Sequence, residues 1–328
     1  PDDASAWYYM GNILYDHQPD NALKSWKKAV ELNSKLAIAF RNLGWGFYRH
    51  LEDIPAAIEN YETALQIKQD DPRYYYELDV LYELNNESLE KRLELFADNP
   101  DVVKEREDSY HREVEVLILN AAYDTALARL SEHSFIRQEG VVRMHDLFVD
   151  AQLLKGREFL QSGDFDKALI HFLRADTYPP NQGIGRISNY RKEAQIFYYT
   201  GLAYKGMENT IEAKSYFKKA LDTPVGRTEY LYFIALSQQE LGQEEDALAS
   251  AESLIQAGEE ALEQAGDADF FAKFGEKAGV DARKASAYYL MALGHLVSGE
   301  EELAGEALKQ ALELKNSILW ASVFAREL

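Results

Sequence analysis

With 328 residues, 46% of them apolar, 28% charged and only 8 prolines, the chain has the composition of a folded protein. Its 35 basic and 56 acidic side chains leave a net charge of −21, a surface that repels phosphate backbones and anionic membranes and so argues against nucleic acid as a partner. The absence of cysteine excludes disulfides, thiolate metal sites and a cysteine nucleophile, and no stretch approaches the ~20 apolar residues of a membrane helix, so no membrane insertion is expected. The chain opens on Pro1 without a basic-then-apolar signal segment, and helical patterning begins within a few residues. It reads as a fragment of something longer, and its compartment is not legible from its start.

A repeating unit runs through the chain. Trp7/Gly11/Leu14 marks a first helix in which a small residue follows an aromatic by four positions, and Ala22/Trp26/Ala29 marks a second helix of the form Ala-x3-aromatic-x2-Ala. Phe40/Gly44/Phe47 and Ala57/Tyr61/Ala64 repeat the two patterns, and a degenerate second-helix copy lies near Ser88–Leu95. Ala126/Leu130/His133 is a weaker copy, Ala168/Phe172/Ala175 a full one, and Phe197/Gly201/Tyr204 leads into Ala213/Phe217/Ala220. Ala247/Ala251/Leu254 and Ala304/Leu308/Ala311 close the series, and Gly163 and Gly299 each stand five residues before a second-helix alanine, in the connecting turn. Spacings of three and four put these residues on one helical face. The small residues let two antiparallel helices approach, and the large ones fill the space beside them.

These patterns resemble the tetratricopeptide repeat (TPR). The resemblance implies an all-α fold, a TPR-like α-solenoid in which about eight antiparallel helix pairs wind into a right-handed superhelix. Residues 1–100 hold the first three pairs, 101–176 pairs four and five, 177–190 an inserted loop rich in proline and glycine, and 191–255 pairs six and seven. A second insertion spans 256–283, with a short extra helix expected around Phe270, Phe271 and Phe274; the last pair covers 284–316, and 317–328 is expected to be a capping helix over the open apolar end. The runs WYYMGNILYD, AFRNLGWGFY, YYELDVLYEL and EKRLELFADNPDVV further resemble the TPR region of large bacterial proteins that carry β-sandwich domains, one of unknown function (DUF family 5107). A Trp/Gly-rich turn expected near His133–Val142 on that resemblance is replaced by HSFIRQEGVV.

In TPR superhelices the first helices line a concave groove, which points to Tyr8, Arg41, Tyr76, Tyr198, Tyr232 and Tyr289, the residues that follow the leading aromatic of each first helix. Trp45 and Tyr48 share the face of the second repeat. Tyrosine joins a large contact area to a polar tip and suits a peptide groove, though the same rings can equally pack against the neighbouring repeat. The positions that grip a peptide carboxylate in some TPR modules are here Tyr8, Asn12, Asn42, Arg73 and Glu77: the asparagines fit, Tyr8 lacks the charge and Glu77 reverses it. Asn12 and Asn42 could still read an extended peptide backbone, or bond within the array. The expected groove is therefore Tyr8, Asn12, Arg41, Asn42, Trp45, Tyr48, Arg73, Tyr76, Tyr198, Tyr232 and Tyr289.

The seven histidines form no helical metal spacing, Gly183-Ile184-Gly185 lacks the lysine and third glycine of a phosphate loop, and no nucleophile elbow occurs. Neither a metal, a cofactor nor a catalytic constellation is expected. The chain reads as a non-catalytic scaffold that binds a protein or peptide partner; the alternative is an accessory module of a larger bacterial carbohydrate-related protein, docking on an adjacent β-sandwich domain of the same full-length chain.

Overall fold

The computed structural model describes residues 2–135, 141–266 and 276–328, with the side chains of 141–143 and 276–278 outside that description. Among the described residues the fold is all-α, with 18 α-helices and no strand. Successive helices pack as antiparallel pairs in α1 (Ala4–Leu14) with α2 (Pro19–Leu32), α3 (Ala37–Leu51) with α4 (Ile54–Ile67), α5 (Pro72–Leu84) with α6 (Leu89–Ala97), α10 (Val141–Gln161) with α11 (Phe165–Ala175), α12 (Glu193–Gly206) with α13 (Thr210–Leu221), and α14 (Leu231–Glu240) with α15 (Glu244–Gln264); α8 (Glu107–Leu119), α9 (Tyr123–Glu132), α16 (Glu276–Ser298) and α17 (Glu301–Leu314) complete the succession. A single turn, α7 (Pro100–Val103), precedes α8, and a seven-residue helix, α18 (Leu319–Ala325), follows α17. The chain divides into two compact units. The first holds α1–α7 and α8 as far as Val116; the second holds the rest of α8, α9–α15, α17, α18, and α16 from Val280 onward.

Helix starts are written locally. Asp53, Asp71, Ser88, Asp164 and Asn209 each accept a backbone N–H of the first turn, satisfying donors that the helix leaves unpaired. Seven of the short turns between successive helices share one conformation, which the α1/α2 turn does not adopt. Glu52, Asn86, Ala121, Gly163, Glu208, Gly242 and Gly299 all adopt positive φ, between 51° and 79°. In the last six of these turns the following N–H bonds the carbonyl five residues back, as in Asp164 N to Phe159 O and Glu300 N to His295 O, both 2.9 Å.

Close approach within a pair depends on the small first-helix residue. A Cβ at Gly44 would lie 2.7 Å from the Tyr61 ring, and one at Gly201 2.5 Å from the Phe217 ring; only glycine admits the aromatic of the second helix. The third pair solves the same contact differently. Tyr75/Asp79/Tyr82 has the spacing of Phe40/Gly44/Phe47, and Ser88/Arg92/Leu95 that of Ala57/Tyr61/Ala64. Asp79 thus stands where glycine would, Arg92 where the ring would, and both are fully buried. Arg92 donates Nε and Nη2 to the two Asp79 oxygens at 2.8 and 3.1 Å, while Arg112 of α8 bonds the same carboxylate and reaches Glu83 at 2.6 Å. A carboxylate shared by two guanidiniums replaces a glycine–ring contact, which is why this copy is degenerate in sequence.

The loop at 177–190 contains one 3-10 turn, Pro180–Gln182, and is pinned by Asn181, whose Nδ2 donates to the carbonyls of Leu130 and His133 at 2.8 Å each. Within 256–283, the described residues continue α15 to Gln264 and begin α16 at Glu276. The extra helix expected around Phe270, Phe271 and Phe274, and residues 136–140 of the turn near His133–Val142, lie outside the described residues. α18 packs on α17 and also on helices far earlier in the chain.

Candidate functional site

In the first unit the first helices α1, α3 and α5 carry a continuous polar ladder. Trp26 donates its indole N–H to Asn12 Oδ1 at 3.0 Å, and Asn42 Nδ2 donates to the same oxygen at 2.8 Å. Asn42 Oδ1 accepts Arg41 Nη1 at 3.2 Å, and Arg41 donates Nε to Glu77 at 2.7 Å with a second bond from Nη2. Burial works against the Arg41 charge, but the bonds and charge of Glu77 outweigh it and hold the guanidinium above its ordinary range. Glu77, the residue that would repel a bound carboxylate, is therefore neutralised from 36 residues away.

Beside the ladder lies an aromatic and cationic surface. The half-buried Trp45 ring has the Arg41 guanidinium 5.5 Å and the Arg49 guanidinium 5.3 Å from its centroid, and Tyr48 meets it edge-on at 6.0 Å. Tyr76 carries the Arg106 guanidinium at 5.8 Å. Tyr8 packs on the cluster of Ala22, Leu23, Trp26 and Leu43 and meets Tyr9 edge-on. Arg73 is exposed, 3.6 Å from Asp71; with Lys35, Lys68 and Asp70 it lines an open depression of about 910 Å³ formed by the loops between pairs, away from the ladder's hydrogen bonds.

The second unit places its first-helix tyrosines differently. Tyr232 and Tyr289 are buried, and Tyr198 lies among Tyr199, Phe217 and Phe233. The face made by α10, α12 and α14 is occupied by α18. Trp320 stacks on Tyr199 at 6.0 Å and donates its indole N–H to Asp150 Oδ1 at 2.8 Å. Phe324 meets Tyr232 edge-on at 5.3 Å. The Arg157 guanidinium lies 5.4 Å from Tyr199, 5.5 Å from Trp320 and 5.8 Å from Phe324, and binds both oxygens of Glu327 at 2.6 and 2.7 Å. Asp150 is also held by the buried Lys192 ammonium at 2.7 Å. Burial pushes the Tyr199 phenol up to about 12, so it stays neutral at physiological pH.

Sequence reasoning did not single out Asp150, Arg157, Lys192, Trp320, Phe324 or Glu327. The spacing of Trp320, Phe324 and Glu327 at i, i+4 and i+7 was a signal for one face of a helix, but nothing in it says which surface that face covers. Among the described residues no group of three His, Asp or Glu could hold a metal ion, and no helix is long and apolar enough to cross a membrane.

Two repeat-family models match the chain: a TPR repeat over residues 47–86, from the end of α3 through α5, and a tetratricopeptide repeat over 193–223, the α12/α13 pair. The chain therefore carries tetratricopeptide repeats in both units. Solved structures with a similar arrangement include YrrB, described as a TPR protein with an unusual peptide-binding site (18% identity, 69% of this chain and 88% of that one, TM-score 0.36). Others are Naa15/Naa10 bound to HypK-THB (13%, 99% and 60%, TM-score 0.46) and the TPR2AB domain of yeast Sti1 in complex with pHSP90 (15%, 87% and 98%, TM-score 0.34). This chain spans 60% of the Naa15/Naa10 chain that it matches.

Proposed function

We propose that the protein is a non-catalytic scaffold that captures a protein or peptide segment on the first-helix face of its first unit, through Asn12, Arg41, Asn42, Trp45, Tyr48 and Tyr76. The observation that carries this reading is the half-buried Trp45 ring set between two guanidiniums with Tyr48 at its edge. Trp, Tyr and Arg are the residue types that dominate binding energy at protein interfaces. The ladder beneath supports the reading, because Asn12, Asn42, Arg41 and Glu77 hold one another in place before any partner arrives, which lowers the ordering cost of binding.

The test selects 12-residue peptides on the full chain by display, then measures their affinity for Trp45→Ala/Tyr48→Ala. At least a tenfold loss is expected, in a variant that still unfolds cooperatively in urea. Equal affinity removes this face from the reading. A second reading, docking of the repeats on a neighbouring domain, is favoured by the apolar patch of α1, where Tyr9, Met10 and Ile13 are 62%, 47% and 73% exposed. Tyr9→Ser/Ile13→Ser separates the two: peptide capture that survives this substitution but not the Trp45 pair belongs to the groove.

A further inference from the structure

α18 has seven residues, too few to hold a helix on its own, so its form depends on the surface beneath it. That surface is a groove of complementary parts. Tyr199, Tyr232 and Phe233 receive the Trp320 and Phe324 rings, Asp150 receives the indole N–H, and Arg157 with Gln161 receives the Glu327 carboxylate. Without α18 Asp150 would keep Lys192 at 2.7 Å. Arg157 would lose the Glu327 carboxylate and keep the Tyr199 ring at 5.4 Å, but the same departure uncovers its guanidinium to water, so the emptied groove presents a cation ready for another carboxylate. The occupant also fits incompletely. Beside Phe324 and the half-exposed Leu328 a cavity of about 230 Å³ remains, lined on the groove side by Leu160, Tyr198, Leu202, Leu236 and Leu296. It has room for one more large apolar side chain.

We propose that this face of the second unit is a helix-binding groove in which α18 sits as an internal competitor. Its external partner is an amphipathic helix with aromatics at i and i+4, a carboxylate at i+7 and a further large apolar side chain that enters the residual cavity. An attached occupant competes at high effective concentration, so the partner's apparent affinity is reduced by the fraction of molecules in which α18 is released. The extra apolar side chain, which α18 lacks, is what lets the partner prevail. This inference concerns the second unit and stands or falls independently of the Trp45 face.

The test uses the full chain and a labelled peptide of residues 315–328. Trp320→Ala/Phe324→Ala weakens the internal occupant while leaving the groove intact. It is expected to bind the peptide at least tenfold more tightly than wild type. Adding Arg157→Glu should abolish that binding, and a peptide carrying Glu327→Arg should restore it. A milder variant, Glu327→Arg in the full chain, should show an intermediate gain if the double variant unfolds. No binding by a variant that still unfolds cooperatively, or loss of cooperative unfolding in both variants, would make α18 a fixed part of the fold and overturn the proposal. Concentration-dependent dimers of the wild-type chain that Arg157→Glu abolishes would assign the groove to a second copy and overturn it equally.

Discussion

The first-helix faces of the two units are built from the same repeat and end up in opposite states. In the first unit the face is a hydrogen-bonded ladder with a half-buried Trp45 beside it; in the second, rings in equivalent positions lie under α18. The repeat fixes which residues face one another within a pair and leaves open what covers the first helices. Polar side chains that satisfy one another, such as Asn12 and Asn42, make a face that is stable uncovered. A face of Tyr199, Tyr232 and Phe233 exposes apolar area that a matching segment covers with gain.

The most direct way to break this comparison is to remove a ring from each face. Phe324→Ala should destabilise the second unit by about 3 kcal/mol, as for other buried aromatics, whereas Trp45→Ala should cost the first unit about 1 kcal/mol. The readout is fluorotryptophan NMR during urea unfolding: Trp7, Trp26 and Trp45 report the first unit and Trp320 the second. Equal costs would show that the two faces are covered alike.

A smaller effect separates the units by pH. His145 in the second unit is fully buried, stacked 4.2 Å from Tyr178 with Nδ1 2.9 Å from Gln182 Oε1. Burial lowers its pKa below the ordinary 6.5, against the opposing pull of Gln182 and Asp146, and burial lowers that of His171 too. The unfolded chain then binds protons at a higher pH than the folded one. Stability of the second unit is full above 6.5, falls as the pH drops through that value, and levels off below the folded pKa. His145→Asn should flatten this dependence in the Trp320 signal; an unchanged slope would show that the histidine does not supply it.

On the open face, Asn42→Ala removes the bonds to Asn12 and Arg41 and should cost the first unit about 1 kcal/mol. Its unfolding midpoint in urea checks this, and no change would mean that water replaces the ladder at no cost.

Much of the pairing was legible. Trp26, Tyr61, Phe172 and Phe217 announce their helices by spacing, and Gly11, Gly44 and Gly201 mark where three of the rings enter; Gly156, which admits Phe172, was not singled out. Asp79 and Arg92 were not legible as partners, because their register matches the repeat while their chemistry does not, and an ion pair leaves no periodic signal. The face residues were legible as positions and not as states. Glu77 reads as a repulsive charge until Arg41 is placed against it, and Tyr232 reads as groove surface until Phe324 is seen on it. Each depends on a partner tens of residues or more away, beyond the reach of helical spacing.

The smallest prediction asks whether the units differ anywhere besides their faces. Seven of the turns between successive helices use a positive φ, which Glu52 supplies in the first unit at 51° and Glu208 in the second at 60°. A residue with a Cβ pays roughly 1–2 kcal/mol there, while glycine loses about 0.5–1 kcal/mol through its freer unfolded chain. Glu52→Gly and Glu208→Gly should therefore each stabilise their own unit by about 0.5 kcal/mol, read as a rise in that unit's urea midpoint. The two turns are not identical: Asn209 N bonds the carbonyl five residues back, whereas Asp53 N reaches Phe47, six back, at 3.1 Å. A gain at Glu208 without one at Glu52 would place part of the difference between the units in this turn. Equal gains would leave the covered and uncovered faces as the contrast between them.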